Sequence, residues 1–176
     1  MDASSGSRNG RAKPAGSEEP TAGVEQYLTF QLAGEEYGVD ILRVQEIKGW
    51  EKATRIPHAP HYVLGVINLR GAVVPIIELR RRFAVESVDF GPTTVVIVVK
   101  VASDRGERTV GMVVDAVCEV YNVPVGDIKP PPEVGAGVDT AFVRGLATMD
   151  EKMLILLDID KLIVETIFEG AAAAAA

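Results

Sequence analysis

Thiols and imidazoles are scarce in this chain: Cys118 is the one cysteine, and His58 and His61 are the two histidines, among 176 residues. One thiol allows no internal disulfide and suits a reducing compartment. His58-Ala59-Pro60-His61 has the spacing of two metal ligands, but a structural zinc needs four N or S donors. A surface loop stiffened by proline is expected there, and no metal. Aromatics are sparse at 6%, and cations are outweighed, with 18 Lys and Arg against 25 Asp and Glu. A net charge of −7 argues against clustered cations that hold phosphate backbones or anionic lipid. The shortage of aromatics removes the stacking platform of a single-strand nucleic-acid binder. No apolar run approaches the roughly 18 residues that cross a bilayer, and Met1-Asp2-Ala3-Ser4-Ser5 lacks a signal-peptide core. The expected place is the cytoplasm, with no direct membrane insertion and no nucleic-acid partner.

Catalytic constellations are missing as well. The acids are scattered at no recognisable spacing. Cys118 lies in an apolar, strand-like run without a positioned base, which reads as a buried structural thiol. Gly135-Ala136-Gly137 lacks the strand before and the helix after that a phosphate-cradling loop requires. What remains is a binding protein, with neither cofactor nor enzymatic activity expected.

What the chain has in quantity is short β-branched runs cut by Gly and Pro. In Tyr62 to Phe83, the runs Val63 to Ile67 and Ala72 to Ile77 are joined by Asn68-Leu69-Arg70-Gly71, which predicts a hairpin with a cation at its tip. Pro75 has no N–H to donate, so it belongs at an edge or a bulge. The stretch recurs 80 residues on: Tyr62-Val63-Leu64-Gly65 matches Phe142-Val143-Arg144-Gly145, and Val73 to Ile77 matches Met153 to Leu157. At a spacing of 73, Gly38 matches Gly111, and Val44-Gln45-Glu46-Ile47 matches Val117-Cys118-Glu119-Val120. Repetition in fixed order marks a duplicated unit. Each half is too small to be comfortable alone, so the halves should share apolar surface.

Taken in order, residues 1–24 form a polar tail without periodicity, read as disordered. A first hairpin follows at Leu28 to Val39, with Asp40 capping a helical turn and a strand-sized run at Thr54 to Ile56. A first subdomain spans about 25–84, and Asp89 to Pro92 is a hinge. A second subdomain spans about 92–164, containing a proline-rich loop and a C-terminal helix over about 158–168. Residues 169–176 carry no informative chemistry. The pattern predicts an all-β, mainly antiparallel fold of two small barrels side by side.

Two features stand out as a candidate partner site: the acid set among apolar residues at Val44 to Ile47, with its twin at Val117 to Val120, and Arg70 at a hairpin tip. Glu36 to Ile47, Gly65 to Ile76 and Val110 to Asp115 together resemble the CheW-like family of bacterial chemotaxis coupling proteins, over Glu25 to about Val164. That resemblance implies two SH3-like five-stranded β-barrels around a shared apolar seam, and short helices. It also implies a non-enzymatic adaptor between the cytoplasmic tips of methyl-accepting chemoreceptors and the regulatory domain of the histidine kinase CheA, recruited to receptor arrays at the inner membrane. A coupling protein of a pathway with another output, such as pilus motility or development, is the alternative. Carried over by motif, the receptor groove would hold Val44, Glu46, Arg70, Val95, Gly111, Val117 and Val120. Kinase contact would use Lys129, Glu133 and Val134, the last standing where relatives often have a larger aromatic.

Overall fold

The runs of Val, Ile and Leu become strands because branched side chains pack well on a pleated surface and turn residues interrupt them at short intervals. The computed structural model of the protein describes residues 23–104, 106–132 and 140–164. Within them lie β1 (Val24–Leu32), β2 (Glu35–Asp40), β3 (Val44–Gly49), β4 (Val63–Leu69), β5 (Ala72–Glu78), β6 (Val95–Ser103), β7 (Gly106–Val114), β8 (Ala116–Pro124), β9 (Val143–Met149) and β10 (Lys152–Leu157). Helices α1 (Leu79–Arg82) and α2 (Ile159–Ile163) are short, and Asp40 caps a 3-10 turn at Ile41–Arg43 by accepting the Leu42 N–H at 2.9 Å. The expected C-terminal helix thus begins on time, and residues 165–168 of it lie outside the described residues.

Two five-stranded sheets result, ordered β8-β1-β2-β10-β9 and β3-β6-β7-β5-β4. Pairing is antiparallel apart from β10 with β2 and β5 with β7. The all-β class is as the sequence predicts, but the division at residues 84 and 92 does not describe the sheets. The repeat units are β1 to α1 and β6 to α2, and each lends its first hairpin to the other's sheet. The first sheet joins β1–β2 to β8, β9 and β10; the second joins β6–β7 to β3, β4 and β5. The cause is local: after β2 the 3-10 turn, and after β7 the single residue Asp115, send the chain across to the other sheet.

Each sheet also comes round on itself. The chain leaving edge strand β3 bridges the opposite edge at Thr54 and Val66, with N–H···O distances of 2.9 and 2.8 Å, so Thr54 to Ile56 is a single bridge and not a strand. Past β8, Lys129 bridges Leu146 in the same way, at 2.8 and 2.7 Å. The repeated glycines explain themselves here. A Cβ on Gly65, whose φ is +145°, would sit 2.1 Å from the Thr54 carbonyl oxygen, and one on Gly145 would sit 2.7 Å from that of Lys129. Pro75 lies inside β5, paired with Val66, yet the ladder from β5 to β7 starts only at Ile76 and Gly111. Locally, then, it faces an unpaired side, as a residue without an N–H should.

Among the described residues, three apolar clusters hold the fold. One lies within the second sheet (Ile67, Val74, Ile76, Val96, Val98) and one within the first (Tyr27, Val123, Leu154, Leu156). The largest joins both, with Leu28, Phe30 and Leu32 meeting Ile77, Ile97, Val99 and Met112 under Leu162 and Ile163. This is the shared seam. Two ion pairs lock it, one at each crossover. Arg80 on α1 grips Asp115 through Nε and Nη2 at 2.8 and 2.6 Å, and Asp115 also accepts the Ala33 N–H at the β1–β2 turn. At the other crossover the charges are reversed: Asp160 on α2 accepts from Arg43 Nη2 and from the Ala102 N–H, both at 2.8 Å. The Arg80 fork holds the Asp115 carboxyl below its ordinary range, and Asp115 in turn raises the guanidinium.

Cys118 departs from expectation. Edge strand β8 turns it outward, so the thiol is exposed and not buried. Partial desolvation and the Glu36 carboxylate push its pKa up, away from thiolate chemistry.

Candidate partner-binding site

Along β3 burial alternates, with Val44, Glu46 and Lys48 half-buried and Gln45, Ile47 and Gly49 exposed. The period of two places Val44 and Glu46 on one face. Arg70 reaches Glu46 from the far edge of the same sheet, at the tip of the β4–β5 hairpin, because the sheet has curled round. Nη2 and Oε2 meet at 3.1 Å, as an ion pair without the alignment of a hydrogen bond. The Arg70 side chain is 80% exposed and that of Glu46 24%.

The turn itself is unusual. Arg70 and Gly71 have φ of 51° and 87°, both left-handed, and Asn68 Oδ1 accepts the Gly71 N–H at 2.8 Å. A two-residue hairpin turn of this kind favours Asn-Gly or Asp-Gly, and a long side chain at its first position is strained. The second repeat has the same turn, with Asp150 and Glu151 at φ 49° and 64°. There the counterpart of Glu46 is Glu119, which accepts the Tyr121 hydroxyl and lifts that phenol above its ordinary range. One sheet therefore pairs Glu with Arg at its tip, while the other has only acids.

The other expected groove residues divide. Val44, Val95 and Val117 are all half-buried against the core between the sheets, and Val120 is 48% exposed on β8. Gly111, unlike them, is not at the surface. It is buried in β7, where an added Cβ would lie 2.5 Å from Ile76 Cδ1 and 2.8 Å from Val96 Cγ1. Its job is close strand packing, as for its twin Gly38 beneath Leu156. Sequence reasoning passed over Ile47, Val73 and Met153, exposed apolar residues of the same repeats: Ile47 matches Val120, and Val73, at 68% exposure, matches Met153 at 59%. Strand alternation within the repeat was the signal for them.

The sequence pattern of the CheW-like domain matches residues 26–166. The chain belongs to the CheW-like domain family. It is 46% identical over 139 residues to the chemotaxis protein CheW of Klebsiella aerogenes, covering 79% of this chain and 81% of that protein. To a probable chemotaxis protein CheW of Rhizobium etli it is 39% identical over 149 residues, covering 85% and 94%. The crystal structure of the scaffolding protein TtCheW from Thermoanaerobacter tengcongensis matches with a TM-score of 0.71 at 37% identity, covering 78% of this chain and 91% of that one. Within the CheW-like domain, Lys129 is exposed and its backbone makes the closing bridge, while Glu133 and Val134 lie outside the described residues. No helix among the described residues is long and apolar enough to cross a membrane.

Proposed function

We propose that this CheW-like protein is a non-enzymatic chemotaxis scaffold, working in the cytoplasm, that couples the tip of a chemoreceptor to the regulatory domain of a CheA-type histidine kinase. The receptor meets the margin of the inter-sheet core at Val44, Val95 and Val117, with Val120 beside it and Glu46 aiming Arg70. The kinase meets Lys129, Glu133 and Val134. The observation that carries this is Arg70: a guanidinium on a strained left-handed turn, 80% exposed, ion-paired with Glu46 at 3.1 Å. An exposed ion pair adds only about 0 to 1 kcal/mol, less than a better turn residue would recover, so the arginine is kept for something outside the chain. Its planar fork gives direction to a receptor carboxylate or carbonyl that an ammonium does not. The test is binding of receptor-tip and kinase regulatory-domain fragments, singly and together. Both bind the parent, and Arg70→Ala loses the receptor while keeping the kinase. Kinase binding that vanishes with Arg70, or receptor binding that persists, would contradict the assignment.

A further inference from the structure

A cavity of about 910 Å³ lies away from Arg70, between α1, the segment after β3 and the linker before β6. Trp50 and Phe90 wall it, meeting edge-on at 4.6 Å between ring centroids. Glu78 also lines it, with its side chain only 3% exposed. One carboxylate oxygen meets Arg81 Nε at 2.7 Å, and the other, Oε1, is buried without a hydrogen-bond partner. The duplication gives this weight. Asp158, the counterpart of Glu78, caps α2 by accepting the Lys161 N–H at 3.1 Å, whereas Glu78 makes no cap bond to α1. In one repeat the acid serves its helix; in the other it is held in a cavity wall with a free lone pair.

Lys52 and Arg55 stand exposed on the same cavity, and among the described residues neither has an ion-pair partner. Asp89 is the one exposed acid among the residues that line the cavity, so Lys52, Arg55 and Arg81 leave its accessible rim with an excess of positive charge. We infer that the cavity binds a short acidic segment of a protein partner: a carboxylate engages Lys52 and Arg55, and an adjacent uncharged N–H or O–H donates to Glu78 Oε1. Complementary charge at the mouth selects the segment, and the buried acceptor rejects one lacking the donor. This adds a contact to the two proposed above and rests on the same pair of partners.

Trp50 is the one tryptophan of the sequence, so 5-fluorotryptophan labelling of the full chain gives a single fluorine resonance inside the cavity. The probes are the kinase regulatory domain and the receptor-tip fragment, each unlabelled, with affinity read separately by calorimetry. One of them shifts the resonance, and the double reversal Lys52→Glu with Arg55→Glu lowers that partner's affinity by about tenfold or more with the melting temperature kept. Glu78→Gln supplies a second variant, which also weakens that partner. Calorimetric binding with an unmoved resonance, or with affinity indifferent to the charge reversal, overturns the cavity and leaves the scaffold reading standing. Binding of neither probe to the parent overturns both.

Discussion

Arg70 and Asp115 carry the two sharpest residue-level predictions. Arg70→Lys and Arg70→Ala should both melt within about 1 kcal/mol of the parent, as exposed substitutions usually do, and both should lose receptor coupling, which paired melts and pull-downs would check. Asp115 answers to pH. Its carboxyl is held below the ordinary 3.8 chiefly by the Arg80 hydrogen bonds, so below that value the unfolded chain takes up its proton before the folded one does. Its contribution is complete above about pH 4 and fades as pH falls through the lowered value. Denaturant melts from about pH 7 to about pH 2 should therefore find Asp115→Asn less stable by a constant gap near neutrality, narrowing in acid. A gap that widens in acid would refute the sign.

At the scale of elements, the closing bridges should be as demanding as their geometry suggests. Gly65→Ala combines a left-handed φ with a 2.1 Å collision against a backbone oxygen that cannot swing away, and should cost about 2 to 4 kcal/mol in a urea melt. Gly126, with nothing within 4 Å of an added Cβ, is the control, where alanine should change stability by about 0.5 kcal/mol or less. The elements themselves were legible: alternation, turn residues and the spacings of 80 and 73 predicted the hairpins, the C-terminal helix and the equivalence of Gly65 with Gly145. The family resemblance put Glu46 and Arg70 in one groove, and the curl of the sheet brings them to 3.1 Å. What the sequence hid is non-local. The parallel ladders join Gly38 to Leu156 and Ile76 to Gly111, and no turn signal announces pairs so far apart. The close packing of Gly111 against Ile76 and Val96 was hidden for that reason, and Cys118 was read as buried because an apolar run does not say which strand becomes an edge.

The whole molecule is two repeats that exchange hairpins across one core, fastened at both crossovers by Arg–Asp pairs of opposite polarity. Neither repeat holds a complete sheet, so a chain cut in the linker at 89–92 should give fragments that are unfolded alone and recover strand structure by circular dichroism when mixed. Under the proposed scaffold role, a push on the β4–β5 tip would be shared by both sheets through their common core and not dissipated in a hinge. A scaffold of this kind does no chemistry and works by occupancy. The most direct measurement is a titration of the chain into a fixed amount of kinase and receptor, following phosphoryl transfer. The scaffold account predicts that activity rises until the chain matches the kinase in number and then levels, and that Arg70→Ala fails at every concentration tested. Full activity from trace amounts of chain, or full coupling with none present, would contradict it.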